Sequence, residues 1–191
     1  MFDPGLAGVG GVEYIFSLFA RYGCSDYIGE RITQTEHMVQ CAMIAERYGA
    51  DGELILAALL HDIGHLIGLD KSLPSMGGLG VKDHEKIAAQ LLRHIGFPER
   101  IASLVENHVE AKRFIVSKNK QYYQNLSEAS KKTLLFQGGQ MNEKECEVFC
   151  RNAWFEDFLR LRSWDEQAKK VGVKIKPLEY YKEMCLNITS P

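Results

Sequence analysis

Apolar residues recur along the chain at spacings of three and four, while period-two alternation is almost absent, so the pattern predicts helices throughout. The first covers 12–22 and stops at Gly23. A polar stretch, 24–31, leads to a second helix over 33–48 that Gly49 closes. The third, over 52–67, contains the run LILAALL, apolar on every side, and is predicted to be the central buried helix. Residues 70–83, with one Pro and three Gly, read as a loop and a candidate lid. Asp83 is a candidate cap for a fourth helix over 84–95, ended by Gly96. Pro98 suits the first turn of a fifth helix that runs through Asn107 to 115. After a less regular stretch, helices are predicted near 127–136, 143–151 and 154–170, and the only strand signal is a brief one at 171–175. The predicted fold class is all-α. Neither a repeat nor a linker divides the chain, so 1–191 is expected to be a single domain, with a glycine-rich flexible arm over 1–11 and a C-terminal tail over 172–191.

The same spacings show which polar residues share the inward stripe of a helix. His37 lies in line with Cys41, Ile44 and Tyr48, and His61 follows directly on LILAALL with His65 one turn later. His84 heads the stripe Ala88, Leu91, Ile95; His108 ends the stripe Ile101, Leu104, Val105; Asp165 lines up with Trp154, Phe158 and Leu161. One histidine on an apolar face is most simply a hydrogen-bonded core residue. Placements of this kind on five helices, two of them carrying the carboxylates of Asp62 and Asp165, point to a shared ligand. A buried carboxylate costs several kcal/mol, on the order of a lost ion pair, unless positive charge meets it. A metal meets that need without protonating the imidazoles. His37, His61, Asp62 and Asp165 fill four positions around one ion, and His84 and His108 serve a second that Asp62 bridges, so two ions use the set better than one. Nitrogen and oxygen donors without thiolate exclude a structural zinc cluster and suit iron, manganese or other divalent ions.

Composition narrows the partners. Lys and Arg total 23 against 25 Asp and Glu, a formal charge of -2, which excludes bulk attraction to nucleic acid or to acidic membranes. The pair Lys118 and Lys120 beside Tyr122 and Tyr123 is too sparse to read as a nucleic-acid patch. Five cysteines without a C-x-x-C pair argue against a disulfide framework and for a reducing, cytoplasmic setting. The longest apolar run is far too short to span a bilayer, and the acidic N-terminal segment does not read as a targeting peptide. His94 and the pair Cys146 and Cys150 are expected to be packing residues.

The order His37, His61-Asp62, Asp165 resembles the HD-domain superfamily, whose core is H…HD…D on an α-helical bundle, and His84 with His108 resembles its two-metal branch. Further segments, SDYIGERITQTEH, ALLHDIGH, SMGGLGVKDHEKIAA, HVEAKR, LSEASKKTLLFQGG and LRSWDEQAK, are similar to the phosphonate-cleaving di-iron oxygenases of that superfamily, from about Cys24 to Lys170. The resemblance implies two iron ions, mixed-valent Fe(II)/Fe(III) in the active form. It also implies an O2-dependent cleavage of the C–P bond of a small organophosphonate, 2-amino-1-hydroxyethylphosphonate giving glycine and phosphate. By the same resemblance His65 faces substrate, Tyr27 gates an open position on the second iron, and Glu30 receives the substrate ammonium. Lys112, one turn beyond His108, can place its ammonium beside the second metal. Ser130, Thr133 and Gln137 share one helical face and can donate to a phosphonate, and Arg162 either orients Asp165 or forms a surface ion pair. Two alternatives stay open: a metal-dependent phosphohydrolase acting on a nucleotide or other phosphomonoester, and an oxygenase for an N-methylated analogue of the phosphonate. The oligomeric state is left open.

Overall fold

A computed structural model describes residues 3–27 and 29–189. Among the described residues there are eleven α-helices and no strand. They are α1 (Val9–Tyr22), α2 (Gln34–Arg47), α3 (Gly52–Leu60), α4 (Ile63–Asp70), α5 (His84–Ile95), α6 (Glu99–Lys118), α7 (Lys120–Asn125), α8 (Glu128–Phe136), α9 (Glu143–Cys150), α10 (Phe155–Gln167) and α11 (Leu178–Thr189). The all-α expectation holds. Several helix starts are encoded locally: Thr33 and Glu36 form a reciprocal capping box on α2, and Asn142 and Glu145 form one on α9. Asp51 caps α3 through the Leu54 N–H, and Gly96 ends α5 in the left-handed region that only glycine adopts cheaply.

The core is built around α3, where every residue from Leu54 to Leu60 is buried. It packs against α2, α6, α10 and α11. No single described helix is long and apolar enough to cross a membrane; α3 and α4 pass such a test only as a pair, bent by 41°.

The structure corrects three local expectations. The third helix does not run unbroken over 52–67: it breaks at His61-Asp62, with Asp62 at φ -104° and ψ 8°, and restarts as α4. Neighbouring residues on a straight helix point about 100° apart, so the break lets both face one space. Asp83 does not cap α5 with its side chain; its backbone is left-handed, and its carboxylate meets Lys86 at 3.1 Å. The strand signal at 171–175 forms turn and coil, because among the described residues there is no strand to pair with it. The C-terminal tail is largely helical: α11 buries Tyr181 and Cys185 completely, with Leu178 and Ile188 packed partly beside them.

The segment expected as a flexible arm, Met1 and Phe2 lying outside the described residues, carries a short 3₁₀ turn at Pro4–Leu6 and the first turn of α1. Two of its glycines, Gly10 and Gly11, sit at close approaches. A side chain at Gly11 would meet the Ile95 side chain at 2.4 Å, and the Gly8 N–H donates to the Ile95 carbonyl. His94 donates from Nε2 to the Asp3 carbonyl at 2.8 Å, in keeping with a packing role. Cys146 is buried beside Ser117, whereas Cys150 is exposed.

At its far end α4 is tied to α1 through Asp70, which accepts from the Tyr14 hydroxyl at 2.9 Å, Arg21 at 2.6 Å and the Tyr22 hydroxyl at 3.2 Å. Burial opposes ionisation, but the bonds from Tyr14 and Arg21 outweigh it and hold the carboxyl below its ordinary value. The stabilisation is therefore complete above the unfolded aspartate value of about 3.9 and is lost as pH falls through the lower folded value. Asp70→Asn is expected to destabilise the fold by about 1 kcal/mol at pH 7, a figure that allows for solvent screening. In urea titrations the gap from the parent protein should close in acid. A gap unchanged at low pH would show that the carboxylate charge is not what ties these helices.

Candidate metal centre and cleft

Six side chains converge where α2, α5, α6 and α10 meet the α3–α4 break: His37, His61, Asp62, His84, His108 and Asp165, all buried. They form two groups that share Asp62, His37 with His61 and Asp62, and Asp62 with His84 and His108. The Asp62 carboxylate is divided between them. Its Oδ2 lies 3.5 Å from His37 Nε2 and 3.4 Å from His61 Nε2, while Oδ1 lies 3.2 Å from His84 Nε2 and 3.5 Å from His108 Nε2. Asp165 joins the first group, with Oδ1 3.3 Å from His37 Nε2.

The outer nitrogens fix the inner ones. Nδ1 of His37 lies 2.9 Å from the Ala168 carbonyl, Nδ1 of His61 2.9 Å from that of Ala58, and Nδ1 of His108 2.7 Å from that of Val105. A carbonyl only accepts, so each Nδ1 carries the proton and each neutral ring turns a bare Nε2 inward. Two of those Nε2 atoms, of His37 and His61, face each other across 3.1 Å, and that of His108 lies 3.3 Å from His84 Nε2. In the His37–His61 pair two lone pairs at that distance repel unless a cation lies between them. Oδ1 of Asp165 is likewise buried without a hydrogen-bond partner among the described residues. Bare imidazoles, a shared carboxylate and an orphaned carboxylate oxygen are the donor set of a two-metal site, and the cluster can hold two ions.

The electrostatics agree. Burial works against charge on His61 and Asp62 alike, yet His61 is pushed well above the ordinary imidazole value by Asp62, and Asp62 is held well below the usual carboxylate range by His61 and its neighbours. The site draws positive charge toward itself. Asp165 is similarly kept ionised against burial by Arg162, which is buried, bonds to Asp165 and Glu166, and donates from Nε to the Tyr122 hydroxyl at 2.8 Å. Of the two readings of Arg162, the surface ion pair is excluded by its burial.

His65 stands apart from the ligands. Its Nδ1 accepts from the Val81 N–H at 3.0 Å, so Nε2 carries the proton, 3.9 Å from Asp62 Oδ1. Burial, then His84, keeps this ring neutral by lowering its pKa well below the ordinary value. What it presents toward Asp62 is an N–H donor. Its ring stacks on His84 with centroids 4.0 Å apart. Gly64 makes this approach possible, since a side chain there would meet the His84 carbonyl at 2.0 Å.

Above the cluster opens a cleft lined by Tyr27, Glu30, His65, Lys112, Ser130, Thr133 and Gln137, each of which the sequence had singled out. Tyr27 stacks on His37, centroids 3.8 Å apart, and burial followed by Asp62 raises its pKa so that it stays a phenol. Lys112 is buried and donates to Thr133 Oγ1 at 3.3 Å; burial, then Arg162, lowers its pKa to about 7. Gln137 leaves Oε1 buried without a hydrogen-bond partner among the described residues. Met76 and Leu79 of the 70–83 loop also line the cleft.

Sequence reasoning missed Lys169, Tyr122 and Glu85. Lys169 lines the cleft just beyond α10, and burial lowers its pKa against the pull of Asp165. Its signal was the helical spacing from Asp165. Tyr122 sits on a short helix whose sequence resembles an exposed basic patch, and nothing local marks it as a partner of Arg162.

The HD-domain family matches residues 35–134, which contain five of the six converging side chains. The uncharacterized protein L432 of Acanthamoeba polyphaga mimivirus is 45% identical over 179 residues, covering 94% of this chain and 82% of its own. A 1-hydroxy-2-(trimethylamino)ethylphosphonate dioxygenase (glycine-betaine-forming) of Leisingera caerulea is 38% identical over 163 residues, covering 85% of this chain and 82% of its own. A hydroxymethylphosphonate dioxygenase of Gimesia maris is 37% identical over 179 residues, covering 92% and 88%.

The geometry predicts metal content directly. Protein loaded anaerobically with Fe(II) should carry two ions per chain, measured by elemental analysis after desalting. His84→Ala should retain about one ion and Asp62→Ala close to none, because only Asp62 serves both groups. Equal metal loss in the two variants would rule out the shared-carboxylate arrangement.

Proposed function

Because the chain belongs to the HD-domain family, we propose that it is an oxygenase that uses O2 to cleave the C–P bond of a small 1-hydroxyalkylphosphonate, with 2-amino-1-hydroxyethylphosphonate as the substrate and glycine and phosphate as products. Both curated dioxygenases above are named for substrates that carry a hydroxyl and a phosphonate on one carbon. The observation that carries the reading is a two-metal donor set at the floor of a cleft whose walls bear anion donors and one carboxylate.

His37, His61, Asp62 and Asp165 would hold one iron, and Asp62, His84 and His108 the other, in a mixed-valent Fe(II)/Fe(III) active form. Bound iron supplies O2 activation and the Lewis acidity that holds hydroxyl and phosphonate oxygens. The remaining work falls to the chain. Lys112 and the hydroxyls of Ser130 and Thr133 meet the phosphonate, with the Gln137 amide beside them, and the cost of burying the Lys112 charge is offset once an anion arrives. The protonated Nε2 of His65 donates toward substrate above Asp62. Glu30 faces the cleft from the opposite loop and receives the ammonium. Tyr27 acts as the gate, its phenol moving when substrate enters, and Arg162 holds Asp165 in place for the first iron.

The test is an oxygen electrode with iron-loaded protein and 2-amino-1-hydroxyethylphosphonate, its trimethylammonium analogue and hydroxymethylphosphonate in parallel. Oxygen uptake matched by glycine and phosphate from the first is expected. Phosphate release from a phosphomonoester under anaerobic conditions, with no oxygen uptake on any phosphonate, would establish the hydrolase instead.

Glu30 is expected to decide between these substrates. Loss of a charge-assisted hydrogen bond, about 1.5–3 kcal/mol, should raise KM for the amino substrate roughly 10- to 100-fold in Glu30→Ala. Iron content and KM for hydroxymethylphosphonate, which has no ammonium, should stay at parent values. Loss of iron in this variant would mean that Glu30 does not belong to the substrate site.

A further inference from the structure

Three of the four imidazoles around Asp62 are held by backbone carbonyls through Nδ1, and the fourth is not. Nδ1 of His84 is buried and has no hydrogen-bond partner among the described residues. What faces it is the carboxylate of Glu85, whose Oε2 lies 3.5 Å away and is likewise buried and unpartnered. Glu85 is only 6% exposed, a rare placement for glutamate. Its other oxygen, Oε1, lies 4.0 Å from the exposed ammonium of Lys86, too distant and too hydrated to neutralise it. A carboxylate that is buried with one oxygen unpartnered is costly, so its inward position needs a reason.

We propose that Glu85 is a positioning residue for the second metal centre, holding the proton of His84 on Nδ1 and thereby turning a bare, more basic Nε2 toward the ion. The inference rests on the two-metal reading above. A carboxylate at 3.5 Å selects the Nδ1–H tautomer electrostatically, as the carbonyls do for His37, His61 and His108, but with a full negative charge in place of a dipole. An imidazole backed by a carboxylate is a stronger donor to its metal than one backed by a carbonyl. The two centres therefore differ by design: the first has two carbonyl-backed imidazoles and two carboxylates, the second one carbonyl-backed and one carboxylate-backed imidazole with a shared carboxylate. Glu85 partly restores to the second centre the negative charge that Asp165 gives the first.

The experiment uses full-length protein and Fe(II) itself. Equilibrium dialysis under anaerobic conditions against graded chelator gives an affinity for each ion, and Mössbauer spectra of ⁵⁷Fe-loaded protein separate the two irons. In Glu85→Gln the second ion should weaken roughly 10- to 100-fold while the first keeps its parent affinity, the span found when partners of metal-bound histidines are removed. Only one iron signal should shift. Glu85→Asp, which keeps the charge, should recover part of the loss, and the unfolding midpoint of metal-free Glu85→Gln should equal or exceed the parent value. Parent affinities for both ions in Glu85→Gln, or equal weakening of both, would overturn the proposal. If the parent protein takes up fewer than two ions, the two-metal reading itself fails, and this inference fails with it.

Discussion

The arrangement depends on one buried carboxylate that two pairs of imidazoles divide between them. Asp62 turns one oxygen toward His37 and His61 and the other toward His84 and His108. Removing such a group from water costs several kcal/mol, on the order of a whole domain's margin of stability, unless positive charge answers it. The surrounding rings cannot answer as neutral donors, since three of them have their protons committed outward to carbonyls. The chain has folded around a deficit of positive charge, and His61 drawn well above its ordinary pKa is the form that deficit takes when protons alone are at hand. Cations at both faces of Asp62 remove the deficit and the lone-pair repulsion together.

The neighbouring helices are arranged to keep that requirement unmet by protein groups. Arg162 is the strongest nearby cation, but it is committed to Asp165, Glu166 and the Tyr122 hydroxyl, and it reaches only one oxygen of Asp165. The other oxygen stays free and aimed at His37. Lys112 is spent on Thr133, with its own charge weakened by burial. The cations near the site thus serve the cleft and the scaffold, leaving the centre of the cluster to an ion.

How much of this the sequence disclosed follows the range of each interaction. The stripes on α2, α5, α6 and α10 put His37, His84, His108 and Asp165 inward, because helical periodicity is a local property that apolar neighbours report faithfully. The carbonyl partners of His61 and His108 are three residues back on the same helix and equally local. The partner of His37 is the Ala168 carbonyl, 131 residues away, and no local pattern reports it. The break at His61-Asp62 was hidden for a different reason: the flanking residues are apolar on all sides, so periodicity has no phase to lose. In α11 the spacing Leu178, Tyr181, Cys185, Ile188 was a readable stripe. Loop residues Tyr27 and Glu30 had no periodicity at all, and only family resemblance singled them out.

That division between helix and loop bears on how such a site acquires its substrate. The candidate metal ligands lie on helices or at the α3–α4 break, held by backbone carbonyls, a buried arginine and close helix contacts that tolerate little change of position. Three of the side chains that line the cleft, Glu30 and the apolar pair Met76 and Leu79, lie instead on the two connections 24–33 and 71–83. A connecting segment accepts substitution at little cost in stability, whereas a shifted ligand disturbs charge balance across the whole cluster. Two named relatives at 38% and 37% identity act on phosphonates that share a hydroxylated carbon and differ in what is attached to it. Rigid helices that fix the reacting end, with recognition of the other end left to loops, are a physical basis on which one scaffold can keep its chemistry while its substrate changes.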